Sequence, residues 1–196
     1  MTAGPPAGAR SSIADGVEAA LPAWLRAPAR ALARINDAMA ALGMLALLAA
    51  SVILTWSVVS RYFLRASTDW QDEAAVFCLV GATFLCGAFV QALRGHVGIE
   101  AVAGLMPAPL ERARLVLVDL VSLLFCAFFA WKSWTLFHEA WVERQTTSSS
   151  WAPPLAIPYA LMALGMSLLA AQLLLQAVAR VRQSLRAGAR PHGAVR

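Results

Sequence analysis

The chain has 196 residues, 60% of them hydrophobic and 14% charged, with a mean hydropathy of +0.64 and a net charge of +5. A water-soluble globule of this size carries more charge and shorter apolar runs, so the composition excludes one and places the chain in lipid. The positive charge does not require a nucleic-acid partner, since no aromatic-and-basic motif accompanies the arginines; it fits a protein facing anionic membrane lipid.

Residues 1–38 are rich in Ala, Pro and Arg and hold no apolar core long enough for a cleavable signal. Leu21, Trp24, Leu25, Leu32 and Ile35 recur at roughly helical spacing between arginines, which suits a helix on the membrane surface. Pro28 is expected to interrupt it, and an unstructured tail with a short ordered end fits equally well. Four apolar stretches follow: Met39–Tyr62, Glu73–Leu93, Leu115–Phe137 and Pro158–Val178. Each has about 20 residues, which at 1.5 Å per residue crosses a hydrocarbon core of about 30 Å. Only a helix satisfies its own backbone there. The expected fold is all-α, an integral membrane protein with four transmembrane helices over 39–181. An N-terminal segment (1–38) and a tail (182–196) flank it.

Small residues mark the second and fourth spans. Ala74, Cys78, Ala82 and Cys86 recur every four residues with Gly81 and Gly87 alongside, and Ala163, Ser167 and Ala171 repeat the device. Such seams let helix backbones approach closely, within the bundle or against another protein. In the third span Asp119, Ser122, Cys126 and Ser133 share a stripe; Asp119 lies close enough to the span's inner end to meet an arginine such as Arg114, which suits anchoring better than proton relay. Lys132 can snorkel outward, and Gln172 and Gln176 can bond between helices.

The positive-inside rule sets the orientation. Twelve of the sixteen Lys and Arg fall in the N-terminal segment, the loop between the second and third spans, and the C-terminal tail. Both termini are therefore expected in the cytoplasm. Six of the seven tryptophans, Trp56, Trp70, Trp131, Trp134, Trp141 and Trp151, cluster toward the opposite surface, where an indole favours the interface.

No redox, metal or catalytic constellation is expected. Cys78, Cys86 and Cys126 lie singly within spans, and His96, His138 and His192 include no mid-membrane pair to hold a haem. Ser133 and His138 lack an orienting acid at depth. A small exporter would carry an acid in its first span, and Met39–Tyr62 has none.

The densest cluster flanks the second span. Arg61-Tyr62 closes the first span, Trp70-x-Asp72-Glu73 opens the second, and Arg94-Gly95-His96 follows it. Dipole pairing and interface anchoring account for Asp72, Glu73 and Trp70 singly. Together with Met106-Pro107, Thr146-Thr147-Ser148 and Ile157-Pro158-Tyr159, the ordered set resembles the DctQ-like small membrane subunit of tripartite ATP-independent periplasmic (TRAP) transporters, over about Ile35 to Val181. The chain departs from that pattern with Asp72 where Glu is commoner, Val76 where a basic residue often stands, and His96 directly after Gly95.

The resemblance implies a non-catalytic subunit of the bacterial inner membrane, with no cofactor. It would scaffold a large permease subunit that carries the substrate and sodium sites, and help dock a periplasmic solute-binding protein delivering a small organic anion such as a carboxylate. Arg61, Tyr62, Trp70, Asp72, Glu73, Gly81, Gly87, Arg94 and His96 are the candidate partner-interface or structural residues. Membrane lipid is the other expected partner. The alternative is a structural or assembly subunit of a different membrane complex.

Overall fold

A computed structural model describes residues 21–65, 69–94 and 108–188. They form four helices: α1 (Ala23–Val59), α2 (Asp69–Arg94), α3 (Ala108–Val142) and α4 (Ala156–Gly188). A π-helical turn, Ser60–Leu64, continues α1. All four are long and apolar enough to cross a membrane, and the described residues hold no β-strand beyond one isolated bridge.

The helices outrun the apolar stretches that announce them. At 1.5 Å per residue, the 37 residues of α1 and the 35 of α3 reach about 50 Å or more, well beyond a hydrocarbon core. Hydropathy marks only the lipid-embedded part of a helix; Ala, Leu, Arg and Glu at its ends continue it in water. Pro28 does not interrupt α1, contrary to the expectation from sequence. The bond it forfeits is to the carbonyl of Trp24, in the first turn beside an exposed side chain, where water can substitute. Meanwhile Leu21, Leu25 and Ala29 pack on Leu175, Val178 and Ala179 of α4, and that burial holds the segment in helical register. The surface helix and α1 are one element.

The helices stand in a row rather than in a closed ring. α1 packs along α2, α2 along α4, and α4 along α3, while α1 and α4 touch only briefly. α2 and α4 form the centre, and α1 and α3 are the flanks. Accordingly the large exposed apolar residues concentrate on α1 and α3, from Leu42 to Val59 and from Leu117 to Val142. The main core lies where α2, α3 and α4 meet. Cys126, Ala130, Met166 and Leu173 are buried there, with Phe84 stacked on Phe129 at 6.5 Å between centroids.

Small residues set these close crossings. Gly43 of α1 faces the Sγ of Cys86 and the backbone of Ala82, so the four-residue seam of α2 is occupied by α1. Gly81 and Gly87 look instead toward Leu161 and Leu169 of α4. Gly165 of α4 lies against the backbone of Phe84, and Ala163 is fully buried. Both seams serve internal packing.

Candidate functional site

The end of the row opposite Leu21 and Ala179 gathers the residues that close α1 and open α2. The π turn carries Arg61 round so that its Nη2 donates to Asp72 Oδ2 at 3.0 Å, an exposed ion pair. Ser57 Oγ, one turn earlier and buried, donates to Asp72 Oδ1 at 3.4 Å. Asp72 therefore ties the end of α1 to the start of α2, and its charge also suits the positive end of the α2 dipole. After Leu64 the chain turns through Arg65 in the left-handed conformation (φ 49°), which stops the helix.

Trp70, in the first turn of α2, meets Trp151 of the α3–α4 loop edge-on, 6.4 Å between centroids. That loop is ordered by backbone bonds: Gln145 N–H donates to Ala140 O at 3.0 Å, Leu155 N–H to Gln145 O at 2.9 Å, and Thr147 N–H to Pro153 O at 3.1 Å. The Thr146–Ser149 stretch adds the Thr147–Ser149 hydroxyl contact at 3.2 Å. One aromatic contact thus links the two halves of the distal surface.

Two acceptors beside this cluster stay unsatisfied among the described residues: Gln71 Oε1, on a residue only 4% exposed, and Glu73 Oε2. Buried acceptors of this kind are costly; the other two among the described residues, Asn36 Oδ1 and Asp119 Oδ2, lie along the α4 polar stripe. Glu73 is half-buried, with its Oε2 out of reach of solvent.

Of the sequence-derived candidates, Arg61, Asp72 and Trp70 come together at this end, with Glu73 next to them. Tyr62 does not join them; it is 79% exposed, edge-on to Phe63. Gly81 and Gly87 lie further along α2 and pack on α4. Arg94 ends α2, its side chain outside the described set, and His96 lies outside the described residues. Ser57, Gln71 and Trp151 were missed. Only Trp151 had a sequence signal, as one of the interface tryptophans.

A second polar system runs along α4. Gln172, Gln176 and Arg180 stand four residues apart, on one stripe, and each reaches a different helix. Asn36 Nδ2 of α1 donates to Gln172 Oε1 at 3.1 Å. Gln91 Nε2 of α2 donates to Gln176 Oε1 at 3.0 Å, and Gln176 Nε2 returns a bond to Gln91 O at 3.1 Å. Arg180 Nη1 donates to Asp119 Oδ1 of α3 at 2.9 Å. The acid expected to meet Arg114 is thus held by α4, because α3 turns it inward on the stripe that buries Cys126, Ala130 and Ser133. Nearer the distal end, Trp134 Nε1 donates to Ser167 Oγ at 3.0 Å, again between α3 and α4.

Among the described residues these bonds join helices to one another. The hydroxyl of Ser133 donates to Phe129 O at 2.8 Å within its own helix, whereas His138 is exposed. Among the described residues no three His, Cys, Asp or Glu converge on a metal-sized site. Compared with known proteins, residues 50–183 match the family described as tripartite ATP-independent periplasmic transporters, DctQ component. No curated protein and no solved structure matches the chain.

Proposed function

Because this chain belongs to the DctQ family of tripartite ATP-independent periplasmic transporter components, we propose that it scaffolds a large permease subunit in the bacterial inner membrane. The large subunit carries substrate and coupling ion, most simply sodium, and a periplasmic binding protein supplies a small organic anion such as a carboxylate. The distal cluster of Arg61, Trp70, Asp72 and Glu73 lies on the periplasmic side and serves assembly with the large subunit, next to the surface where the binding protein docks.

The observation that carries this reading is the open row of helices. α1 and α3 each pack along one neighbour and keep a long apolar flank outward. Association in lipid gains little from apolarity itself, so a permease on such a flank would be held through packing and a few polar contacts. The charges within the row support the same reading, since Asp119 and Arg180 engage each other rather than standing free to bind an ion.

Co-expression of the tagged full chain with a candidate large permease subunit tests the proposal. A stoichiometric complex is expected, and sodium-driven uptake should require both chains plus the binding protein. The double variant Trp70→Ala, Glu73→Gln should insert normally yet retain much less permease. Uptake by proteoliposomes holding this chain alone would refute the scaffold role. Full complex yield and full uptake in the double variant would remove the distal cluster from it.

A further inference from the structure

A cavity of about 710 Å³ lies between the distal ends of α3 and α4, beside the loop that joins them. This is within the range of small-molecule sites, about 300–1,000 Å³. Its lining is almost entirely carbon, with Phe137, Trp141, Ile157 and Leu161 separated by alanines; the single charge is Arg144. Among the described residues Arg144 has no hydrogen-bond or ion-pair partner, whereas the adjacent Glu143 carboxylate accepts from Gln145 Nε2 at 2.7 Å.

The backbone at Arg144 adds an independent observation. The bond from Gln145 N–H to Ala140 O closes α3 with a left-handed residue at position 144, where φ is 51°. Glycine is the usual occupant of that position, because any side chain strains it. The chain instead places there the one cation that lines the cavity. Strain kept at a cavity wall points to a use for the side chain. Arg144 also stands at the tryptophan-rich end of the row, with Trp141 one turn before it, and interfacial tryptophans favour the level of lipid headgroups.

We propose that this cavity binds one anionic glycerophospholipid, its phosphate on the Arg144 guanidinium and an acyl chain between α3 and α4. A guanidinium presents a fork of donors that fits a phosphate, and a carbon-lined slot between helices fits a chain. A cation at the mouth of an apolar interhelical pocket is the arrangement that recognises a lipid headgroup. The inference needs only that the helices reside in a membrane; it stands or falls apart from the scaffold role.

The test uses the full chain in mild detergent, stripped of lipid and titrated with phosphatidylglycerol. Bound lipid is counted by native mass spectrometry and the thermal midpoint is followed. Saturable binding of one lipid with a rise in midpoint is expected. Arg144→Gly removes the cation while relieving the left-handed turn, so the lipid-free protein should be at least as stable, with affinity about tenfold weaker. Ala160→Phe, which fills the slot, should abolish the shift. Diacylglycerol with the same chains, or inorganic phosphate alone, should produce none. Unchanged affinity in Arg144→Gly would overturn the proposal, as would equal binding of diacylglycerol or an equal shift with inorganic phosphate. Loss of the permease from both variants with lipid binding intact would assign the cavity to a protein interface instead.

Discussion

Asp119 and Arg180 lie 61 positions apart in sequence and 2.9 Å apart in space, with side chains 10% and 23% exposed. A pair this sheltered costs desolvation to form, yet breaking it leaves one charge stranded, which is the larger penalty. Asp119→Ala should therefore destabilise the chain by about 3 kcal/mol in detergent unfolding. Adding Arg180→Leu should recover part of that loss, and the double-mutant cycle reads the coupling. Strict additivity of the two losses would show that the pair contributes nothing. The Arg61–Asp72 pair is different in kind. Its side chains are 61% and 54% exposed, so water and salt screen it, and its worth to this chain alone is about 1 kcal/mol or less.

Between elements, backbone proximity decides which glycines tolerate change. A Cβ on Gly165 would lie 2.6 Å from Phe84 C and 2.8 Å from Phe84 Cβ, and a backbone carbonyl in a packed helix cannot step aside. Gly165→Ala should push α4 off α2 and cost about 2 kcal/mol despite the better helix propensity of alanine. Gly87→Ala meets only Leu169 Cδ2 at 3.9 Å, an ordinary contact, and should be neutral or slightly stabilising. Thermal unfolding of the two variants side by side checks the contrast. Equal effects would mean the α2–α4 crossing is looser than its geometry. Gly81→Ala falls between them, facing the movable end of Leu161 at 3.2 Å.

For the whole molecule, the row of four helices puts both described ends of the chain at one face and the Trp70–Trp151 contact at the other. With the arginine bias, that face should be cytoplasmic. In intact spheroplasts, a membrane-impermeant thiol reagent should label Ser148→Cys, in the exposed distal loop, and not Ala187→Cys near the end of α4. Background should be low, because Cys78, Cys86 and Cys126 are buried or half-buried in the row. The reverse pattern would invert the topology and move the distal cluster to the cytoplasm.

Four helices, their order and the family could be read from the residues alone, because each rests on local information: a run of apolar residues near 20 long, and short motifs at fixed spacing. The stripe through Asp119, Cys126 and Ser133, and the bonding capacity of Gln172 and Gln176, were legible for the same reason; helical periodicity puts those side chains on one face. Periodicity does not say which helix a face meets. The packing of the helices is what makes α4 the hub, gives Asp119 to Arg180 rather than Arg114, and closes the seams within the row. The same packing keeps Pro28 inside a helix, since Leu21 meets Ala179, a residue far from it in sequence. Lipid makes every apolar face equally acceptable outward, so a membrane sequence carries little record of its neighbours; a few polar atoms and the glycines that admit a close backbone fix them.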